Sequence, residues 1–377
     1  MYNRIVYIVK TDLHYYPPCM MQIRYLKQMG VNIEVWFASS NESATNILEK
    51  EDIPYVCLGE STRKNTKISK IKNWLEFRFR VKKQLKTINK NELDNILFWV
   101  GTAESAIPLY GVIDKYHYVL TMLELLDDPQ NRIKLKLFGR MAKKAEALTA
   151  CEITRAYLMR YWFKLDKLPY VMPNKPFELG VSKKAIPSCE KTRSSIEIIK
   201  DKHFIIFQGI YQKLDYLKEV AKALAKMNID YHLVLMGFDL YKTNAYEELK
   251  RIYDKVIELP SLPAPLHLEV TSHAEIGLVF YDDFSLNQAF CAPNKIYEYS
   301  GFGIPMLANK IPGLENTVGK YNAGMCVNFE CNELVRAINT ILDNHKDFEI
   351  NSKELFDSVD NMKTISKIAE SLHIERE

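Results

Sequence analysis

Between Pro293 and Pro305 the chain reads PNKIYEYSGFGIP. Proline ends whatever element precedes it, and asparagine is a favoured helix N-cap. A helix starting there offers free backbone N–H groups and the positive end of its dipole, a ready site for an anion. Lys295 adds a full positive charge beside those groups. Glu298 lies four residues after Asn294 and three after Lys295, so the three share one face of the first turn. A carboxylate one turn behind a phosphate site suits a pair of hydroxyls, such as those of a ribose. The segment therefore predicts a grip on the diphosphate and ribose of a nucleotide. Alone, the same residues also fit an N-capped amphipathic helix with a surface Lys–Glu pair, so its place in the fold must separate the two readings.

Other chemistries find little support. Gly301-Phe302-Gly303 lacks the third glycine of a dinucleotide fingerprint and follows a helix rather than a strand. P-loop and HExxH patterns are absent. The seven cysteines are odd in number, widely spaced and free of any CxxC, which reads as reduced thiols rather than disulfides or a zinc site. Asp282-Asp283 follows a strand without a convincing partner, and no metal is expected.

These residues need a scaffold. The 377 residues exceed what one hydrophobic core supports, which predicts two domains. In the first half, apolar runs predict strands at Ile5–Val9, Ile33–Ala38, Tyr55–Leu58, Ile96–Val100, Tyr116–Leu120 and Tyr170–Met172. Helical patterns at Cys19–Met29, Ile71–Ile88, Ile133–Ala147 and Thr154–Leu165 lie between them. Alternation of this kind means βαβ units and a parallel sheet. A polar stretch follows Pro173 and makes 179–199 the expected linker. The pattern restarts at Phe204–Gln208, with strands at His232–Met236, Val256–Leu259, Ile276–Tyr281, Met306–Ala308 and Met325–Asn328. Helices are expected at Tyr216–Met227, Leu266–His273, Lys295–Gly301, Glu333–Leu342 and Ser352–Leu372. The expectation is an α/β protein of two doubly wound, Rossmann-like domains, 1–178 and 200–351, facing a central cleft.

In that setting the second half resembles a known family. His273-Ala274-Glu275-Ile276-Gly277-Leu278 looks like the ADIGL strand of GT-B glycosyltransferases, and Pro293–Pro305 looks like their PxKxxEYxxxGxP element. Phe207-Gln208-Gly209 and Leu235-Met236-Gly237 resemble the first two strand ends of their donor domain. The match runs in order from Phe204 to Val327 and is to the retaining family 4, or group 1, type, which builds bacterial surface polysaccharides.

The resemblance implies a glycosyltransferase that moves a sugar from a nucleotide diphosphate, UDP above all, onto a saccharide or lipid-linked saccharide. Glu298 would hold the ribose hydroxyls, while Lys295 and the amides near Asn294 would face the diphosphate and assist its departure. Gly209 would let the backbone approach the phosphates, and Gly237 with the backbone of Pro260–Leu262 would frame the base. Where the family carries a first glutamate this chain has Phe290, and Asn287 is the substitute for contacting the sugar. Ile210 follows Gly209 where the family carries arginine, leaving Lys213 as the second phosphate contact. Glu124, in Glu124-Leu125-Leu126-Asp127-Asp128, is the candidate to meet the acceptor hydroxyl as a base; a solvated loop acid is the other reading. His14 lies in a first loop that should face the cleft, and His117 reads as a core residue. The C-terminal segment 352–377 would pack back on the first domain. Two alternatives stay open: a nucleotide-sugar epimerase on the same scaffold, and a non-catalytic partner subunit.

Charge adds one more expectation. The net charge is +4, yet residues 63–90 hold eleven Lys or Arg against one acid, Glu76. Residues 67–90 read as an amphipathic helix suited to an anionic membrane surface, or as a domain helix with a solvated basic face. No nucleic-acid motif accompanies the charge. No apolar stretch approaches the ~18 residues that span a bilayer, so a cytoplasmic protein, or one peripheral to the inner membrane face, is expected.

Overall fold

The structure is a computed structural model that describes residues 1–38, 43–59, 67–127, 129–211 and 213–376. Asp128 of the acidic loop and Arg63 and Lys64 of the basic stretch lie outside the described residues. The chain forms two compact units, Met1–Phe177 with Asp360–Glu377, and Glu178–Val359.

Among the described residues, unit 1 has seven parallel strands: β1 (Arg4–Val9), β2 (Ile33–Phe37), β3 (Tyr55–Cys57), β4 (Ile96–Val100), β5 (His117–Met122), β6 (Ala147–Ala150) and β7 (Tyr170–Val171), ordered β3-β2-β1-β4-β5-β6-β7. β1 (RIVYIV) and β4 (ILFWV) are near-continuous apolar runs because helices cover both faces of the sheet. Alternate residues therefore feed two cores. Val6, Ile8, Trp36 and Phe98 enter one, and Ile5, Tyr7, Val35 and Trp99 enter the other. Ile365, Ile368 and Ala369 of the helix Asn361–Ser371, with Ile374 just beyond it, complete the second core.

Among the described residues, unit 2 has six parallel strands: β8 (His203–Ile210), β9 (Tyr231–Phe238), β10 (Val256–Leu259), β11 (Ile276–Val279), β12 (Met306–Asn309) and β13 (Gly324–Val327), ordered β10-β9-β8-β11-β12-β13. The strand order reverses between β8 and β11. In sheets of this kind the crevice for a ligand opens beyond the carboxyl ends of the strands at that reversal.

Four local expectations are corrected. Ala147–Ala150 is a strand, not the end of a helix, which stops at Ala142. Ala-Leu-Thr-Ala is short and holds a single large apolar residue, Leu148, so the helical pattern before it masks it. The expected linker belongs to unit 2 and carries a helix, Glu190–Ile199, with Thr192, Ser195 and Ile199 buried. Ser352–Leu372 is two helices, His345–Asp357 in unit 2 and Asn361–Ser371 in unit 1. The Asp360 side chain accepts from the Lys363 N–H and so starts a new helix. Finally, the helix at Pro293 is capped by Pro293 itself, in extended conformation, and Asn294 is its first residue.

Candidate functional site

The site is assembled at the β8/β11 reversal in unit 2. β8 ends on Gln208-Gly209, and Gly209 has φ +117°, a conformation glycine tolerates and other residues resist. Gly209 pairs in register with Gly237 of β9. A methyl on Gly237 would lie 1.8 Å from the Gly209 carbonyl oxygen, so the second glycine lets the two strand ends close together. The helix Asn294–Gly301 follows β11 and its loop. It ends in a Schellman turn: Gly303, at φ +67°, donates to the Ser300 carbonyl at 2.9 Å, and Ile304 donates to that of Tyr299 at 3.0 Å. Buried Ile296, Tyr297 and Tyr299 anchor the helix to the core, and Lys295 and Glu298 beside them are half-buried.

Lys295 and Glu298 meet β8 at one place. The Lys295 ammonium donates to the Gln208 carbonyl at 3.0 Å and lies 4.8 Å from the Phe207 ring centroid. The Gln208 side-chain amide donates to Glu298, and its oxygen accepts from Thr271 at 2.7 Å. His267 Nε2 lies 3.4 Å from the same Glu298 oxygen, with the two side chains 16% and 15% exposed. Burial pushes the Lys295 ammonium down to about 8, against the pull of Glu298. Burial works to raise Glu298, but His267 first, then Lys295 and Gln208, hold it below the ordinary carboxylate range. Burial likewise works to lower His267, and Glu298 outweighs it, so the imidazole sits above its ordinary value. The cluster is thus an anchored carboxylate beside a cation that is easily neutralised.

The other expected residues fall in different places. Lys213 pairs with Asp282, which raises it further, and its ammonium lies 5.3 Å from the Phe284 ring centroid. Asp282 is therefore a lysine partner. Asn287 lies on the short helix Leu286–Ala289, and Phe290 caps that helix. Glu124 is exposed in unit 1 after β5. There, burial and then Glu104 and Glu124 push the Tyr16 hydroxyl up. His14 lies 3.4 Å from the buried Asp12. His117 is exposed and pairs with Glu146 at 2.8 Å, so it is not a core histidine. Sequence reasoning does not single out Gln208 or His267 as site residues. Their one signal is position: Gln208 stands directly before Gly209, and His267 opens the helix after Pro263-Ala264-Pro265.

Set beside solved structures, a glycosyltransferase from Rickettsia africae aligns over 99% of this chain and 100% of its own, with a TM-score of 0.66 and 14% identity. The Anabaena protein HepE, in complex with UDP and glucose, aligns over 98% and 99%, at 0.69 and 16%. The chain has the GT-B fold. A UDP-GlcNAc 2-epimerase from Neisseria meningitidis bound to UDP-GlcNAc shares it, over 99% and 100%, at 0.63 and 12%. No protein-family model and no curated protein matches the chain.

Proposed function

We propose that this chain is a glycosyltransferase that binds a UDP-sugar in unit 2, at the carboxyl ends of β8 and β11. The carrying observation is the Lys295–Glu298–His267–Gln208 cluster at the reversal of strand order. Glu298, held ionised by His267, accepts from the ribose hydroxyls. The Lys295 ammonium and the N–H end of the Asn294 helix face the diphosphate, with Gly209 letting the main chain approach and Lys213 contributing a second charge. Gly237 and the Pro260–Leu262 backbone frame the base, and Asn287 meets the sugar where Phe290 offers no carboxylate.

Loss of the nucleotide leaves an oxocarbenium-like centre, as in glycoside hydrolysis. Cations fixed at the leaving diphosphate stabilise the charge that develops there without reorganising. Lys295 therefore acts on departure, and Glu124 receives the acceptor's proton. The acceptor is a saccharide or lipid-linked saccharide of cell-surface polysaccharide synthesis, and the linkage forms with retention.

The epimerase neighbours favour one second reading, interconversion of the nucleotide sugar without an acceptor. Incubation of the purified chain with labelled UDP-sugars separates the two. Release of UDP with label in an added saccharide is expected. A new nucleotide sugar formed without acceptor would establish the epimerase instead. A chain that turns over no UDP-, GDP- or ADP-sugar would rule out both.

A further inference from the structure

Three helices of unit 1 turn the same kind of surface outward: Lys67–Leu85, Arg132–Ala142 and Ile153–Phe163. On the first, Phe77, Val81 and Leu85 enter the core. On its outer side Ile71, Leu75 and Phe79 repeat every fourth residue and are 60%, 61% and 69% exposed. The third helix repeats the spacing with Ile153, Tyr157 and Tyr161, at 44%, 56% and 81%. Ile133 on the second is 76% exposed. The helices adjoin: the Lys134 ammonium lies 5.9 Å from the Trp74 ring centroid, and Leu135, Tyr157 and Trp162 line one shallow groove of about 710 Å³. Scattered exposed apolar residues are ordinary, whereas rows of them on adjoining helices mark an interaction surface. Charge identifies the partner. Besides the buried Arg155, these helices carry twelve Lys or Arg and one acid, Glu76.

We propose that this face binds a bilayer rich in anionic lipid. Ile71, Leu75, Phe79 and Ile133 enter the boundary between headgroups and acyl chains. The tyrosines sit at headgroup level, and Lys82, Lys83, Lys136 and Arg140 meet lipid phosphates. A second copy of the chain is disfavoured, because like surfaces of this charge repel. A nucleic acid would use the cations and leave the aliphatic rows in water. Membrane binding stands independently of the donor reading.

Flotation of the full chain with phosphatidylcholine vesicles, with and without phosphatidylglycerol, tests the surface. Binding is expected only with phosphatidylglycerol. Either I71S/L75S/F79S or K82Q/K83Q/K86Q should weaken it about a hundredfold. All six positions are exposed, and circular dichroism checks that both variants fold. Trp74 and Trp162, partly buried along this face, should be quenched by brominated acyl chains in the wild type. Absence of flotation, equal flotation with neutral vesicles, or variants that float like wild type would overturn the proposal. So would a dimer in light scattering that I71S/L75S/F79S dissolves, or tighter retention on duplex DNA than on anionic vesicles.

Discussion

Lys295 carries a charge that burial makes easy to lose. The folded chain releases its proton near pH 8 and an unfolded lysine near 10.5, so between those values the unfolded state holds more protons. The contribution of Lys295 to stability therefore rises with pH across that interval. A bound diphosphate favours the charged form, so nucleotide binding near pH 8 should take up a proton. Calorimetric binding enthalpies should then vary with the ionisation enthalpy of the buffer, and Lys295→Met should abolish the variation. Identical enthalpies in all buffers would contradict this role. The His267–Glu298 pair behaves differently. His267 is raised, so its contribution is full below the ordinary 6.5 and lost as pH rises through the raised value. Glu298 is lowered, so its contribution is full above the ordinary 4.5 and lost as pH falls through the lowered value. Glu298→Gln should thus cost most between these two values, about 2 kcal/mol in urea unfolding, and less at pH 9. Lys295 and Glu298 were legible in the sequence because they share one helical turn. Gln208 and His267 were not, because Gln208 stands 90 residues from Glu298 and only the folded sheet joins them.

At the level of elements, the sheet ends decide the site. Gly237 and Gly209 bring two strand ends close together, and Gly237→Ala drives a methyl into a main-chain oxygen that cannot step aside. A loss of about 3 kcal/mol or more is expected from urea unfolding, since the strain is backbone against backbone. A variant as stable as wild type would show that the strand ends separate freely. Strong apolar runs made most strands legible, and Val256–Leu259 and Ile96–Val100 match residue for residue. Elements that rely on partners rather than composition were hidden. Glu190–Ile199 is polar and is recognisable only by what its buried face covers, and the break at Ser358 depends on a cap formed by Asp360.

For the whole molecule, the GT-B fold was legible from the restart of the βα pattern at Phe204, whereas unit 2 begins earlier, at Glu178. The last residues bind unit 1, not unit 2. Deleting 360–377 removes Ile365, Ile368 and Ile374 from its core, each worth about 1.5–3 kcal/mol, a sum comparable to a domain's whole stability. All four tryptophans, Trp36, Trp74, Trp99 and Trp162, lie in unit 1. The truncated chain should therefore show the red-shifted emission of an unfolded unit 1, and native emission would contradict that packing. The central claim, that unit 2 grips a nucleotide through the Pro293–Pro305 segment, is tested most directly by calorimetric titration of UDP, GDP and ADP into the wild type and into Glu298→Ala. One site binding UDP most tightly, and weakened at least about tenfold in the variant, is expected from the loss of a charged hydrogen-bond acceptor. Binding of none of the three, or equal affinity in both proteins, would contradict it.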